Sequence, residues 1–266
     1  MAKTIEVQRS GAVVRVALNR PESHNALTPE MIRELTTFFR AVSPDTGARV
    51  IVLTGNGRSF CAGADLASMR AAADYTPEEN VADGQAIFDL MLAVDSCPRP
   101  VIGRINGAAI GGGAGLVACC DIAVAVERAT FAFSEVRLGI LPAVISPFVL
   151  AKTGAGAARE LFLTGERFKA PRAAAIGLVG HVVAGEAALD QMVAERVDAL
   201  LQAAPGAQAA AKELIRDVAY RPKETMRDHT SALIARRRAS DEGREGMSAF
   251  LEKREPWWRQ KQAGES

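Results

Sequence analysis

The chain has 266 residues, 48% of them hydrophobic and 24% charged, with a formal net charge of +1. That composition supports a large globular core, and the balanced charge removes the electrostatic argument for nucleic acid or an anionic membrane as partner. No apolar run is long enough for a bilayer span, and the first residues, Met1 to Glu6, lack the apolar segment of a signal peptide; a cytoplasmic protein without membrane contact is expected.

Ile5–Arg9 and Val13–Leu18 read as two strands with a turn at Ser10-Gly11, and Asn19-Arg20-Pro21 closes the second. Thr28 is placed to cap a helix with Pro29 in its first turn, and Met31, Leu35, Phe38 and Phe39 give that helix an apolar face. Val50–Gly55 is a continuous apolar run, the pattern of a strand buried on both faces of a parallel sheet. A helix is expected over about residues 78–94, with Ile87, Leu90, Met91 and Val94 inward and Pro98 and Pro100 at its exit. Val101–Ile105 and Ile122–Val126 read as buried strands and Thr130–Phe133 as a short one. Leu116 and Val117 lie on a helix ending near Cys119-Cys120. This alternation is that of a layered α/β fold. Beyond about residue 186 only helices are expected, near 186–203, 205–219, 223–240 and 241–254, with breaks at Pro205, Pro222 and Gly243. The chain therefore divides into a core over residues 1–200 and a helical C-terminal region over 201–266 that packs on a neighbouring subunit or folds back on its own core.

Two segments stand out. Ser59 to Leu66 and Asn106 to Gly115 each follow a strand-like run, open a helix-like run, and consist mostly of residues too small for side-chain chemistry. Small residues allow close backbone approach, and a helix N-terminus leaves donors unpaired beside a partial positive charge. Two such turns converging would make an oxyanion hole for a carbonyl that becomes an enolate. The run Gly111-Gly112-Gly113-Ala114-Gly115 lacks the spacing of a dinucleotide fingerprint. Cys61, Cys97, Cys119 and Cys120 lack zinc-type spacing and read as reduced, buried thiols. His24, His181 and His229 are scattered, so no metal is expected.

At these residues the chain resembles the enoyl-CoA hydratase/isomerase family, the crotonases, over nearly its whole length. The resemblance rests on Leu18-Asn19-Arg20-Pro21 with Asn25-Ala26-Leu27, on Phe60 to Leu66, on Gly111-Gly112-Gly113 through Cys120-Asp121-Ile122, on Phe133 to Pro142, on Ala173 to Val179, and on Phe250 to Arg254. It implies a crotonase-type superhelix of β–β–α turns with a C-terminal helical region, and a homotrimer or dimer of trimers. It implies an acyl-CoA thioester as substrate and no cofactor. The amides of Ala64 and Gly112 would hold the thioester oxygen and Glu135 would be the acid/base. Ala62, Asp65 and Leu66 would lie against the CoA adenine, Arg20 toward its phosphates, and Phe250 and Lys253 would reach the CoA across a subunit interface.

The chain departs from the two-glutamate hydratase pattern at Gly115, where the resemblance would place the second carboxylate. Pro142-Ala143-Val144-Ile145-Ser146-Pro147 also replaces a glycine-rich run, which implies a differently shaped acyl pocket. Water addition to a 2-enoyl-CoA, branched or dicarboxylic, is the leading expectation, with Glu135 relaying a single proton. Migration of a 3-enoyl double bond needs only one base and is the alternative. A non-catalytic acyl-CoA-binding protein is the reading from a third class.

Overall fold

The computed structural model describes residues 4–42 and 47–259. Strands β1 (Ile5–Ser10) and β2 (Val13–Leu18) form a hairpin, and helix α1 (Pro29–Val42) follows. Thr28 Oγ1 accepts from the Met31 amide at 3.2 Å, the capping its sequence context predicts. Met31, Leu35 and Phe39 of α1 are fully buried, each contributing about 1.5–3 kcal/mol relative to exposure. Strand β3 (Val50–Gly55) leads into α2 (Leu66–Ala72) and α3 (Pro77–Asp95). A capping box between Thr76 and Glu79 starts α3. Then come β4 (Val101–Ile105), β5 (Ala109–Ile110), α4 (Gly112–Cys119), β6 (Ile122–Val126) and β7 (Thr130–Ala132). The chain continues with α5 (Ser146–Thr164), β8 (Arg167–Lys169), α6 (Ala170–Ala175), β9 (His181–Val183) and α7 (Glu186–Leu201). It closes with α8 (Pro205–Val218), α9 (Arg227–Ala239) and α10 (Asp241–Glu252).

The strands sort into two sheets. One runs β1-β2-β3-β4-β6-β9, antiparallel at the first pair and parallel thereafter; the other runs β5-β7-β8. From β4 to β7 the chain passes alternately between the two sheets, with α4 between β5 and β6, and β9 returns it to the larger sheet after β7 and β8, which is the winding of the expected superhelix. Single-residue parallel bridges extend the smaller sheet, joining Cys61 to Ala109 and Leu27 to Ala64. Ala109 in turn faces Phe131, so Cys61, Ala109 and Phe131 are successive rungs of one ladder, with neighbours about 4.8 Å apart. The four cysteines are buried, and burial pushes the Cys61 and Cys120 thiols up to about 12. Among the described residues no helix is long and apolar enough to cross a membrane.

The structure adds elements that the sequence pattern does not announce: β5, β8, β9, α5 and α6. It also splits the expected helix over 223–240 into a short 3₁₀ turn at Lys223–Thr225 and α9. Helices α8 and α9 bury no residue and α10 buries only Ala249, so within one chain the C-terminal helices rest lightly on the core.

The ladder carries backbone in direct contact with backbone. A methyl group on Gly113 would collide with Cys61 O and lie 2.8 Å from Cys61 Cβ. Gly113→Ala is therefore expected to lower stability by about 1–3 kcal/mol or more in a denaturant melt. Gly156→Ala, on α5 with open space around it, is expected to gain roughly 0.5–1 kcal/mol.

Candidate active site

Register along the ladder determines where the small-residue turns end. Ala64 lies three residues past Cys61, Gly112 three past Ala109, and Glu135 four past Phe131, so three adjacent rungs deliver these residues to one end of the smaller sheet. Ile110 N donates to Cys61 O at 2.9 Å and Gly111 N to Ala132 O at 2.8 Å, locking the rungs. The Leu27 bridge is made by Leu27 N to Gly63 O at 2.7 Å and Asp65 N to Leu27 O at 3.1 Å. Both bonds use the neighbours of Ala64, leaving its own N–H turned away. Gly112 is the first residue of α4, where an amide has no intrahelical acceptor. Among the described residues neither amide has a protein acceptor.

Contacts tie the turns together. A Cβ on Gly63 would lie 2.8 Å from Ile110 O, and one on Gly112 would lie 3.1 Å from Leu27 Cδ1. A Cβ on Gly111, which adopts φ 51°, would lie 3.1 Å from Glu135 Oε1. Glu135 opens a 3₁₀ turn, Glu135–Leu138, after β7. Its Oε2 is buried without a hydrogen-bond partner. Burial raises its pKa above the ordinary carboxylate value, offset in part by its own amide. The next cation in sequence, Arg137, is turned to the Thr164 carbonyl at 3.1 Å.

Beside this site Gly115 is enclosed. A methyl carbon placed on it would lie 2.5 Å from Ile145 Cγ2, 3.0 Å from Ile145 Cβ and 3.4 Å from Met91 Cε. Ile145 is 1% exposed and Met91 0%. The volume that a side chain at 115 would need is thus filled with hydrocarbon.

Arg20 and Asp65 form an ion pair at 3.0 Å, and Arg20 Nη1 also donates to Ala26 O at 2.8 Å. Asp65 caps α2, accepting from the Ala67 and Ser68 amides. Burial opposes its ionisation, but Arg20 and those two amides outweigh it and hold the carboxyl below its usual range. Ala62 N donates to His24 O, and Leu66 is 73% exposed in the same turn. Asn25, fully buried, joins three loops: it accepts from Arg20 N and donates to Asn56 O and Ser59 O. Asn25 and His24 both adopt left-handed backbone, a strain supported by these bonds.

Phe250 and Lys253 are not brought to these turns within one chain. Arg49, just before β3, donates to the carbonyls of Leu201, Ala203 and Trp258, fastening the C-terminal segment at the opening end of that strand. The small-residue turns follow its closing end, about 20 Å away for six residues. Phe250 is 83% exposed there, and Lys253 ends α10 in left-handed conformation. Leu27, Gly111 and Ile145, which lie in segments the sequence singled out, pack around the site together with Met91, which the sequence marked only as an inward residue of its helix. Among the described residues no group of His, Cys, Asp and Glu is arranged to hold a metal.

Comparison with known proteins gives a consistent result. The family model described as enoyl-CoA hydratase/isomerase matches residues 8–261. A crotonyl-CoA hydratase from Syntrophomonas wolfei is 34% identical, with 95% of this chain and 96% of the relative covered. A 2,3-dehydroadipyl-CoA hydratase from Escherichia coli is also 34% identical, covering 94% and 96%. The crystal structure of an enoyl-CoA hydratase from Shewanella pealeana superimposes with TM-score 0.92 at 39% identity, covering 96% of each chain.

The buried, unpartnered Oε2 of the half-buried Glu135 implies a stability effect with a definite sign. A carboxyl whose folded pKa is raised favours the fold when protonated, and that contribution is lost as pH rises through the folded value. Glu135→Gln is therefore expected to match the wild type near pH 4 and to unfold at higher temperature than it near pH 8. Melting temperature measured across that range checks this; a variant less stable than wild type at pH 8 would contradict it.

Proposed function

Because the chain belongs to the enoyl-CoA hydratase/isomerase family, we propose that it adds water to, or removes it from, a 2-enoyl-CoA thioester, with Glu135 as the acid/base and the amides of Ala64 and Gly112 as the oxyanion hole. The observation that carries this reading is the joint delivery of two amides without protein acceptors and one half-buried carboxylate by adjacent rungs. In the forward direction Glu135 takes a proton from water while the water oxygen bonds to C3. The electron pair of the C2–C3 double bond moves onto the thioester, and its oxygen carries the charge. Glu135 then returns the proton to C2, which restores the carbonyl and the carboxylate; one water has been added. Losing one such oxyanion donor typically costs about 2.7–4 kcal/mol in the barrier. The fixed orientation of these amides supports the role, since they need no reorganisation when charge develops.

A second reading is favoured by the packing at Gly115. With no second carboxylate there, Glu135 could remove a proton from C2 of a 3-enoyl-CoA and return it to C4, moving the double bond without change of mass. The acyl group we propose is uncharged. Burial and its own amide dominate the ionisation of Glu135, with no cation among the influences. Exposed Leu138, Ile140 and Leu141, just beyond Glu135, suit an apolar chain.

We further propose that residues 201–266 serve subunit association as a homotrimer or dimer of trimers. Exposed Phe250 and Leu251 supply apolar surface for that contact. Phe250 and Lys253 would then meet the CoA of a neighbouring subunit, while Arg20, Ala62, Asp65 and Leu66 bound the CoA of their own.

Turnover of crotonyl-CoA, 3-methylglutaconyl-CoA and a 3-enoyl-CoA, read by mass, tests the reaction. Gain of one water on crotonyl-CoA, greater than on 3-methylglutaconyl-CoA and reduced at least about hundredfold in Glu135→Gln, is the expected result. Conversion of the 3-enoyl ester without mass change, and no water gain, would favour the second reading. Acyl-CoA binding with no turnover of any ester would leave a binding protein.

A further inference from the structure

We infer that Ile145 is a specificity-determining residue that sets the balance between water addition and double-bond migration by keeping the site to one carboxylate; the inference rests on the function proposed above. Gly115 and Gly111 are joined by the hydrogen bond from Gly115 N to Gly111 O at 3.0 Å, one helical turn apart. A turn rises about 5.4 Å, and side chains on a helix lean toward its N-terminus. A carboxylate carried at 115 would lean toward Gly111, and Gly111 lies against Glu135 Oε1. The two carboxylates would then stand about one water apart. Glycine at 115 alone would merely leave this place empty. The structure instead fills it: Ile145 Cγ2 and Cβ and Met91 Cε occupy the volume around position 115, and Ile145 is sealed from solvent.

Ile145 is placed there by its surroundings. It immediately precedes α5, and Val149 N donates to its carbonyl at 3.1 Å. Val144 beside it faces Gly84 of α3 with Cγ1 3.7 Å from a Cβ built there, and Phe148 meets Phe88 of α3 with ring centroids 5.4 Å apart. The segment is thus pressed between α3 and α4, and Ile145 cannot swing away without opening that packing. Position 115 can accept a side chain only when Ile145 is made smaller. The two positions are coupled, and Ile145 decides whether a second group can grip water opposite Glu135.

The test is a cycle of wild type, Gly115→Glu, Ile145→Ala and the double variant, followed by melting temperature and by the ratio of hydrated to double-bond-shifted product from crotonyl-CoA and a 3-enoyl-CoA. Gly115→Glu alone is expected to melt at least about 5 °C below wild type. The same change made in the Ile145→Ala background should cost less than half as much, and the double variant should raise the hydration-to-migration ratio at least tenfold. Equal melting cost of Gly115→Glu in both backgrounds would overturn the coupling. A folded double variant with an unchanged product ratio would overturn the control of reaction type. A wild-type protein inert toward both esters would overturn the functional reading and this control with it, and the melting cycle would separate that failure from a failure of packing.

Discussion

Everything at the candidate site depends on one contact: the backbone of residues 61–63 lying directly against that of residues 110–113. A Cβ on Gly63 would press on Ile110 O, and one on Gly113 would strike Cys61 O. The segments approach this closely because neither puts a side chain between them. The bonds from Ile110 N to Cys61 O and from Gly111 N to Ala132 O then hold the rungs in register. Register in a parallel ladder is discrete, so the amides of Ala64 and Gly112 and the backbone that carries Glu135 are positioned in whole residues. The rest of the core, from the filled face of α1 to the apolar strands of the larger sheet, supports that ladder from behind.

Around it the charges are divided between two tasks. Arg20 and Asp65 neutralise each other while shaping the turn that begins α2, and Asp65 stays ionised because two amides and a guanidinium outweigh its burial. Glu135 has no such support. Its burial is offset only in part, by its own amide, and its raised pKa follows from that imbalance. The enclosure that makes Glu135 costly when charged is the physical basis of the acid/base role proposed for it.

Most of the larger sheet was legible in the sequence, because strands buried on both faces read as unbroken apolar runs and α1 carries a clear helical period. The smaller sheet was not. A two-residue strand such as β5, or a single-residue bridge at Cys61, is too short to leave any periodic trace, although the positions of Ala64, Gly112 and Glu135 depend on them. The family resemblance, rather than any local pattern, singled out Glu135 from among ordinary glutamates. It could not supply the unpartnered oxygen, which belongs to the three-dimensional surroundings. Helix α5 was hidden by Gly154 and Gly156, and with it the reason for the odd segment at Ile145: that residue answers the missing side chain at Gly115 from thirty positions away. Phe250 and Lys253 matched a motif, but a motif carries no information about which end of β3 the tail is tied to.

The tie at Arg49 also bears on how the chain reaches this state. Its bond to the Trp258 carbonyl spans 209 residues, and those to Leu201 and Ala203 span 152 and 154. Loop closure over such separations is costly until intervening structure has shortened the loop, so contacts of this kind follow the ordering of the sheet. One guanidinium gathering three carbonyls cannot contribute fully until all three have arrived. The tie is therefore complete only when the end of α7 and the C-terminal segment have both reached the start of β3.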